Sequence, residues 1–297
     1  MFFGTISCTK TETPSAGESS SYVKTVRFIV DDFETDEPHT KTVLDGTSFT
    51  WASTDTVGIY PDKGSQIYFA MTNGAGTNTA TFDGGGWAFR NGATYYSYYP
   101  FISDFYLDRN NIPVHFDGQV QNGPTNFDHF GEYDFLYTDP TTEDDGAISF
   151  SYHHLICVMK FKVTLPAGTY KQLTVTAPSP VFVKKGHFDL MADSPAVIGD
   201  EFSKELSIAL NNITVDGEQQ IEIYLVSAPF DLTGQTMTIS VVNSDKKQYD
   251  FVKDMTKAYV SFKIYAITCA SWSEVPQTVG LVIDDWGDGG SLSGGAE

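Results

Sequence analysis

Six histidines, three cysteines and 38 acidic residues are the side chains here that could ligate a metal or move a proton. His153 and His154 are adjacent, so on a strand they point to opposite faces and cannot grip one ion together. His39, His115, His129 and His187 are scattered. The runs "EDDG" (143–146) and "DDWGDGG" (284–290) carry oxygen ligands. They lack the alternate spacing and closing glutamate of a calcium loop, and read as solvated loops. No G-x-S-x-G elbow sits on a strand-to-helix turn, and "GGSLSGG" lies in a Gly/Ser tail that preorganises no oxyanion hole. "DGGGW" lacks the lysine and helix of a phosphate loop, and "GAGTNTATFDGGG" reads as a hairpin. Nothing singles out two of the carboxylates as an acid–base pair. The expectation is therefore no metal, no cofactor and no enzyme, with a hydrolase of unrecognised carboxylates ranked last.

Cys157 in "HLICVMKF" and Cys269 in "YAITCAS" lie in apolar, strand-like runs. Buried thiols are the simpler reading, and a bridge between them stays open. Cys8 differs. "MFFGTISC" has an apolar stub and small residues ahead of a cysteine, like the end of a lipoprotein signal. Thr5 holds the place where a strict lipobox has leucine. Acylated Cys8 would supply membrane affinity; the rival is an idle thiol after a chance apolar start. Residues 9–21, "TKTETPSAGESSS", bury nothing and read as a tether of at most about 43 Å.

The net charge of -20 repels phosphate backbones and anionic bilayers, which leaves nucleic acid out and membrane contact to a lipid anchor alone. No apolar run is long enough to span a bilayer as a helix. From Tyr22 onward the hydrophobic pattern has period two. Val26, Phe28 and Val30 share one face of the first run, with Val23, Arg27 and Ile29 on the other. "PDKG", "NGAGTN", "DGGG" and "RNG" punctuate later runs. Residues 103–147 read as loops decorating a first sandwich, and alternation resumes at residue 147. Strands eight to twelve residues apart, without helical periodicity, predict an all-β protein with two β-sandwich domains. The expected division is a tether over 1–21, one domain over 22–148 and a second over 149–297.

"ATYYSYYPF" puts Tyr95, Tyr99 and Phe101 on one face and Tyr96 and Tyr98 on the other. Exposed, Tyr96 and Tyr98 would be a stacking platform for a glycan. The plainer alternative is a strand buried on one side, with hydroxyls at the rim.

The series "FTWASTDTVGIYP", "FRNGATYYSYYPF", "FSYHHLICVMKFKVTLPAG", "IYLVSAPFDLTGQTMTISVV" and "VIDDWGDGG" resembles, in order and spacing, the fimbrillins. These are subunits of Bacteroidetes type V pili, in the Mfa-like branch, and the resemblance runs over residues 22–288. It implies two tandem transthyretin-like β-sandwich domains. It implies export through the periplasm as a lipoprotein and assembly with other fimbrial subunits into an adhesive outer-membrane fimbria. In the family, a neighbour's extended strand fills a groove left by a missing one. The candidates here are the first strand (Val23, Val26, Phe28, Val30) and the last (Val279, Leu281, Ile283). The resemblance also implies cleavage after a basic residue. Arg27 sits inside the first strand; Lys41 is better placed but has the wrong side chain for an arginine-specific protease. A glycan-binding surface lipoprotein using Tyr96 and Tyr98 is the alternative function.

Overall fold

The computed structural model describes residues 26–30, 34–35, 50–87, 89–124, 126, 128–143, 148–217 and 219–276. The chain opens with β1 (Val26–Val30) and β2 (Glu34–Thr35), then the meander β3 (Thr56–Pro61), β4 (Ile67–Asn73) and β5 (Thr79–Asp83). β6 (Thr94–Tyr99), β7 (Ile112–His115) and β8 (Gln119–Asn122) precede the single-turn helix α1 (Phe130–Tyr133). β9 (Leu136–Thr138), β10 (Thr141–Thr142) and β11 (Ile148–His154) follow. Then come β12 (Cys157–Leu165), β13 (Gly168–Thr176), β14 (Phe182–Phe188), β15 (Ile198–Ser203) and β16 (Glu205–Val215). The remaining strands are β17 (Gln219–Ser227), β18 (Thr236–Asn243), β19 (Gln248–Asp254), β20 (Lys263–Cys269) and β21 (Ser273–Val275). The expected all-β class holds: period-two runs rich in Val, Ile, Thr, Tyr and Phe make strands, and turn residues end them.

The first sheet has the order β10-β6-β3-β4-β5-β1-β11-β9, and β9 returns to pair with β6. Tyr98 stands opposite Tyr137 and Tyr99 opposite Leu136, so the sheet closes on itself. Inside the ring lie Phe28, Val30, Trp51, Val57, Ile59, Phe69, Phe82, Phe89, Phe150 and Tyr152. Closure removes the free edges that an open sheet would expose.

Three further sheets surround a larger core: β17-β12-β20-β2, β21-β19-β18-β13-β16-β8 and β15-β14-β7. Two of their strands come from the stretch expected to be decorating loops. β7 pairs with β14 and β8 runs parallel to β16, so residues 112–122 complete the second half of the molecule. Conversely β11 lies wholly in the first sheet, parallel to β1. Strand membership thus crosses the expected line at 148/149 in both directions. The apolar run from residue 147 is two strands in different sheets, broken at Leu155 and Ile156.

Gln119 and Gln121 explain why β8 belongs there. Both side chains are buried on a strand that otherwise reads as polar loop. Gln119 accepts from the Val226 N–H (2.8 Å) and donates to the Val226 carbonyl (2.7 Å). Gln121 accepts from the Tyr224 N–H (2.9 Å) and donates to the Glu222 carbonyl (2.9 Å). Two side-chain amides therefore stand in for a neighbouring strand along the outer side of β17. The Tyr224 and Val226 N–H groups and the Glu222 and Val226 carbonyls thereby find partners.

Cys157 and Cys269 are buried free thiols. On adjacent parallel strands Cys157 stands opposite Lys263 and Cys269 opposite Val163. Six strand positions separate them, roughly 20 Å, beyond any disulfide's reach. Burial pushes both thiols up, Cys269 to about 12.

Candidate functional site

β1 sits between two strands to which no hairpin joins it. On one side it runs antiparallel to β5, with Phe28 opposite Ala80 and Ile29 opposite Thr79. On the other it runs parallel to β11, from Val26 opposite Ile148 to Val30 opposite Tyr152. Phe28 and Val30 are fully buried, as the period-two pattern predicts, while Arg27 faces out. The Phe28 ring lies 4.5 Å from that of Phe82, 5.3 Å from Phe150 and 5.8 Å from Tyr152. Trp51 closes the floor, edge-on to Phe82 at 5.0 Å. Five residues thus fill a central sheet position over an aromatic floor. Vacating it would strip partners from β5 and β11 and wet that floor.

The chain then crosses to the other core. β2 runs parallel to β20, the Glu34 N–H donates to the Phe262 carbonyl (3.0 Å), and Lys263 Nζ lies 3.0 Å from Glu34 Oε2. Among the described residues, β20 is paired on that side only at Lys263 and Ile264. The opening seven described positions, β1 and β2, thus complete the first sheet and begin an edge of the second.

Arg27 is paired through its backbone to Thr81 and Ser149, so a protease could reach that bond only after β1 leaves the sheet. Val23, Lys41, Cys8, Val279, Leu281 and Ile283 lie outside the described residues; Val26 is described in its backbone pairing.

The aromatic strand is corrected. Tyr98, offered as a glycan contact, is fully buried, its hydroxyl on Gln66 Oε1. Its ring covers Gly58, directly opposite on β3, where a Cβ would collide with it. Tyr96 packs half-buried against the larger core. Both point away from the ring interior, and the second half of the molecule covers them. That face is therefore a seam between cores.

A buried polar group spans the same seam, and residue-by-residue reading missed it. His154 Nδ1 lies 2.7 Å from Asp134 Oδ1, both side chains inaccessible. Nearby the Tyr99 hydroxyl meets Asp55 Oδ1 and the Gly131 carbonyl, each at 3.1 Å. Burial holds Asp55 above the usual carboxylate range, against the Ala52 N–H and the Tyr99 hydroxyl, which pull it down. An acid set among aromatics in "EYDFLY" was the available signal, since a charge in an apolar run must be paired. The pair anchors the α1 segment to β11. Among the described residues no group of His, Cys, Asp and Glu has the arrangement of a metal site.

The site is thus a closed all-β ring whose first strand is joined by hairpin to neither neighbour, packed against a second β core. The fimbrillin-like family model matches residues 40–286, and the chain belongs to that family. Two of the solved structures that share the fold illustrate the likeness. One is a "putative cell adhesion protein" of Bacteroides uniformis, at 15% identity and TM-score 0.55, covering 76% of this chain and 92% of that one. The other, likewise described, is from Bacteroides ovatus, at 14% identity and TM-score 0.52, covering 86% and 96%. No curated protein matches by sequence.

Proposed function

We propose that the chain is a non-enzymatic structural and adhesive subunit of a cell-surface fimbria, assembled by strand exchange. It is exported as a lipoprotein acylated at Cys8, and β1 yields its place between β5 and β11 to an extended segment of a neighbouring subunit. The observation that carries this reading is β1 itself. It is buried at Phe28 and Val30, flanked on both sides, and joined to neither neighbour by a hairpin. A strand held only by backbone hydrogen bonds and side-chain packing can be replaced by another of the same alternation. Val279, Leu281 and Ile283 repeat the spacing of Val26, Phe28 and Val30, which makes the C-terminal stretch the candidate donor. Lys41, between β2 and β3 in the chain, is the other processing candidate. Membership of the fimbrillin-like family supports the same reading. The two cores are then the two tandem domains, with β7 and β8 lent to the second.

Deleting residues 279–297 should abolish polymers of the processed protein, seen by sedimentation and electron microscopy, while leaving a folded monomer. Polymers of unchanged length from the truncated chain would overturn the donor assignment. The glycan reading based on Tyr96 and Tyr98 loses its support to the burial of Tyr98.

A further inference from the structure

We propose that the loop after β6, residues 100–107, forms with Tyr68 a binding site for an uncharged, pyranose-bearing glycan. This rests on the reading of the chain as an adhesive surface subunit, and gives that subunit a ligand class.

On β4, Ile67 and Phe69 face the ring core, so Tyr68, like Gln66 just before the strand, faces out. Tyr68 is 48% exposed and meets the Phe101 ring edge-on at 5.0 Å. Further along the loop, Phe105 is 72% and Tyr106 87% exposed, their rings perpendicular at 5.2 Å. Two large aromatics at a loop tip lose the benefit of burial that the same side chains gain elsewhere in this protein.

The loop is nevertheless firmly braced. The Gln66 amide donates to the Ile102 carbonyl (2.9 Å) and the Asp104 carbonyl (2.5 Å). The Tyr60 hydroxyl donates to the Leu107 carbonyl (2.7 Å), and the Ile102 N–H to the Tyr98 hydroxyl (3.2 Å). Arg109 donates to the Pro61 and Asp62 carbonyls (3.0 and 2.9 Å). Buried Tyr60 and Tyr98 thus serve as the footing of an exposed aromatic surface. A surface ordered before its ligand arrives spends less of the contact energy on ordering.

Charge selects the occupant. The chain carries -20, which opposes a second copy and any sialylated, sulfated or phosphorylated ligand. Asp62, Asp104 and Asp108 border the loop. Asp104 is fixed by the Tyr106 N–H and Asp108 by the Asn110 N–H, both at 2.9 Å. Lys63 is exposed in the adjoining turn, and the Arg109 guanidinium is turned to backbone carbonyls. Aromatic faces that cover the C–H side of a pyranose, with carboxylates to accept its hydroxyls, suit a neutral sugar.

The test uses the full chain on an array of neutral hexose- and N-acetylhexosamine-terminated oligosaccharides beside sialylated and sulfated ones. Titration calorimetry against the best neutral oligosaccharide follows. Neutral binding is expected, weakened about tenfold or more by Tyr68→Ser and by Tyr106→Ser, with the melting temperature unchanged. Trp87→Ser, at another exposed aromatic outside the loop, should leave it unaltered. Binding of no neutral oligosaccharide, binding confined to charged ones, or binding insensitive to both substitutions would overturn the proposal. So would self-association abolished by Tyr106→Ser, which would give the patch to a second copy. Because the array reads the monomer, its failure leaves strand exchange standing, and a polymer defect in the 279–297 deletion leaves sugar binding intact.

Discussion

Among the described residues Lys160 is one of few buried charged side chains, and it meets Glu222 and Tyr224 on the neighbouring β17. Its Nζ lies 2.8 Å from Glu222 Oε1, and the Tyr224 hydroxyl donates to Glu222 Oε2 at 2.6 Å. Burial alone would push Glu222 up. The hydrogen bonds from Lys160 and Tyr224, helped by the charges of Lys160 and Lys162, outweigh it and hold the carboxyl below its ordinary value of 4.5. The unfolded chain therefore takes up the proton first as pH falls. The stabilisation is present above the ordinary carboxylate range and is lost as pH falls through the lowered native value. Glu222→Gln should cost about 2 kcal/mol at neutral pH in denaturant unfolding, less than a fully buried pair because Glu222 is part-exposed. It should also flatten the decline of stability below that range. An undiminished acid limb in the variant would assign the decline to other carboxylates. Alternation in "CVMKFKV" put Lys160 and Lys162 on one face. That Lys160 would be covered, and by whom paired, required β17 beside it.

At the scale of the element, the least legible piece was β8. "GQVQNG" has the turn residues and polarity of a loop, and its strand character comes from a function no period measures. Gln119 and Gln121 complete the backbone of β17 across a gap between sheets. Gln119→Leu keeps the volume and removes the amide, leaving the Val226 N–H and carbonyl without that partner in a buried place. A loss of about 3 kcal/mol is expected by chemical denaturation, since each orphaned group costs about 1–3 kcal/mol. A neutral substitution would mean that the glutamines merely fill space. β1 shows the reverse case. Its alternation was plain from the residues, and Phe28 and Val30 are buried as that pattern requires. Its place between β5 and β11 was not, because both partners are remote in the chain.

Across the whole molecule, the two cores trade strands. β11 builds the first sheet although the rest of its apolar run builds the second, and β7 and β8 go the other way. The seam holds Tyr98, Gln66 and the buried His154–Asp134 pair. The chain crossings and the buried seam tie the two cores together, so scanning calorimetry should show a single cooperative transition. Two well-separated transitions would show that the seam is weak and the cores independent.

The residues alone settled the local matters: all-β class, the faces of individual strands, the absence of helical periodicity, and the kinship carried by an ordered series of short motifs. These follow from side-chain alternation, β-branching and turn chemistry, which act within a few residues. The tertiary structure alone decided which strands are neighbours, that the first sheet closes, that Tyr98 is core while Phe105 and Tyr106 are surface, and that two cysteines six strand positions apart never meet. Those outcomes depend on pairings between segments remote in the chain, from Tyr98 with Tyr137 to Val26 with Ile148. A period of two says which face is apolar but leaves open what will cover it.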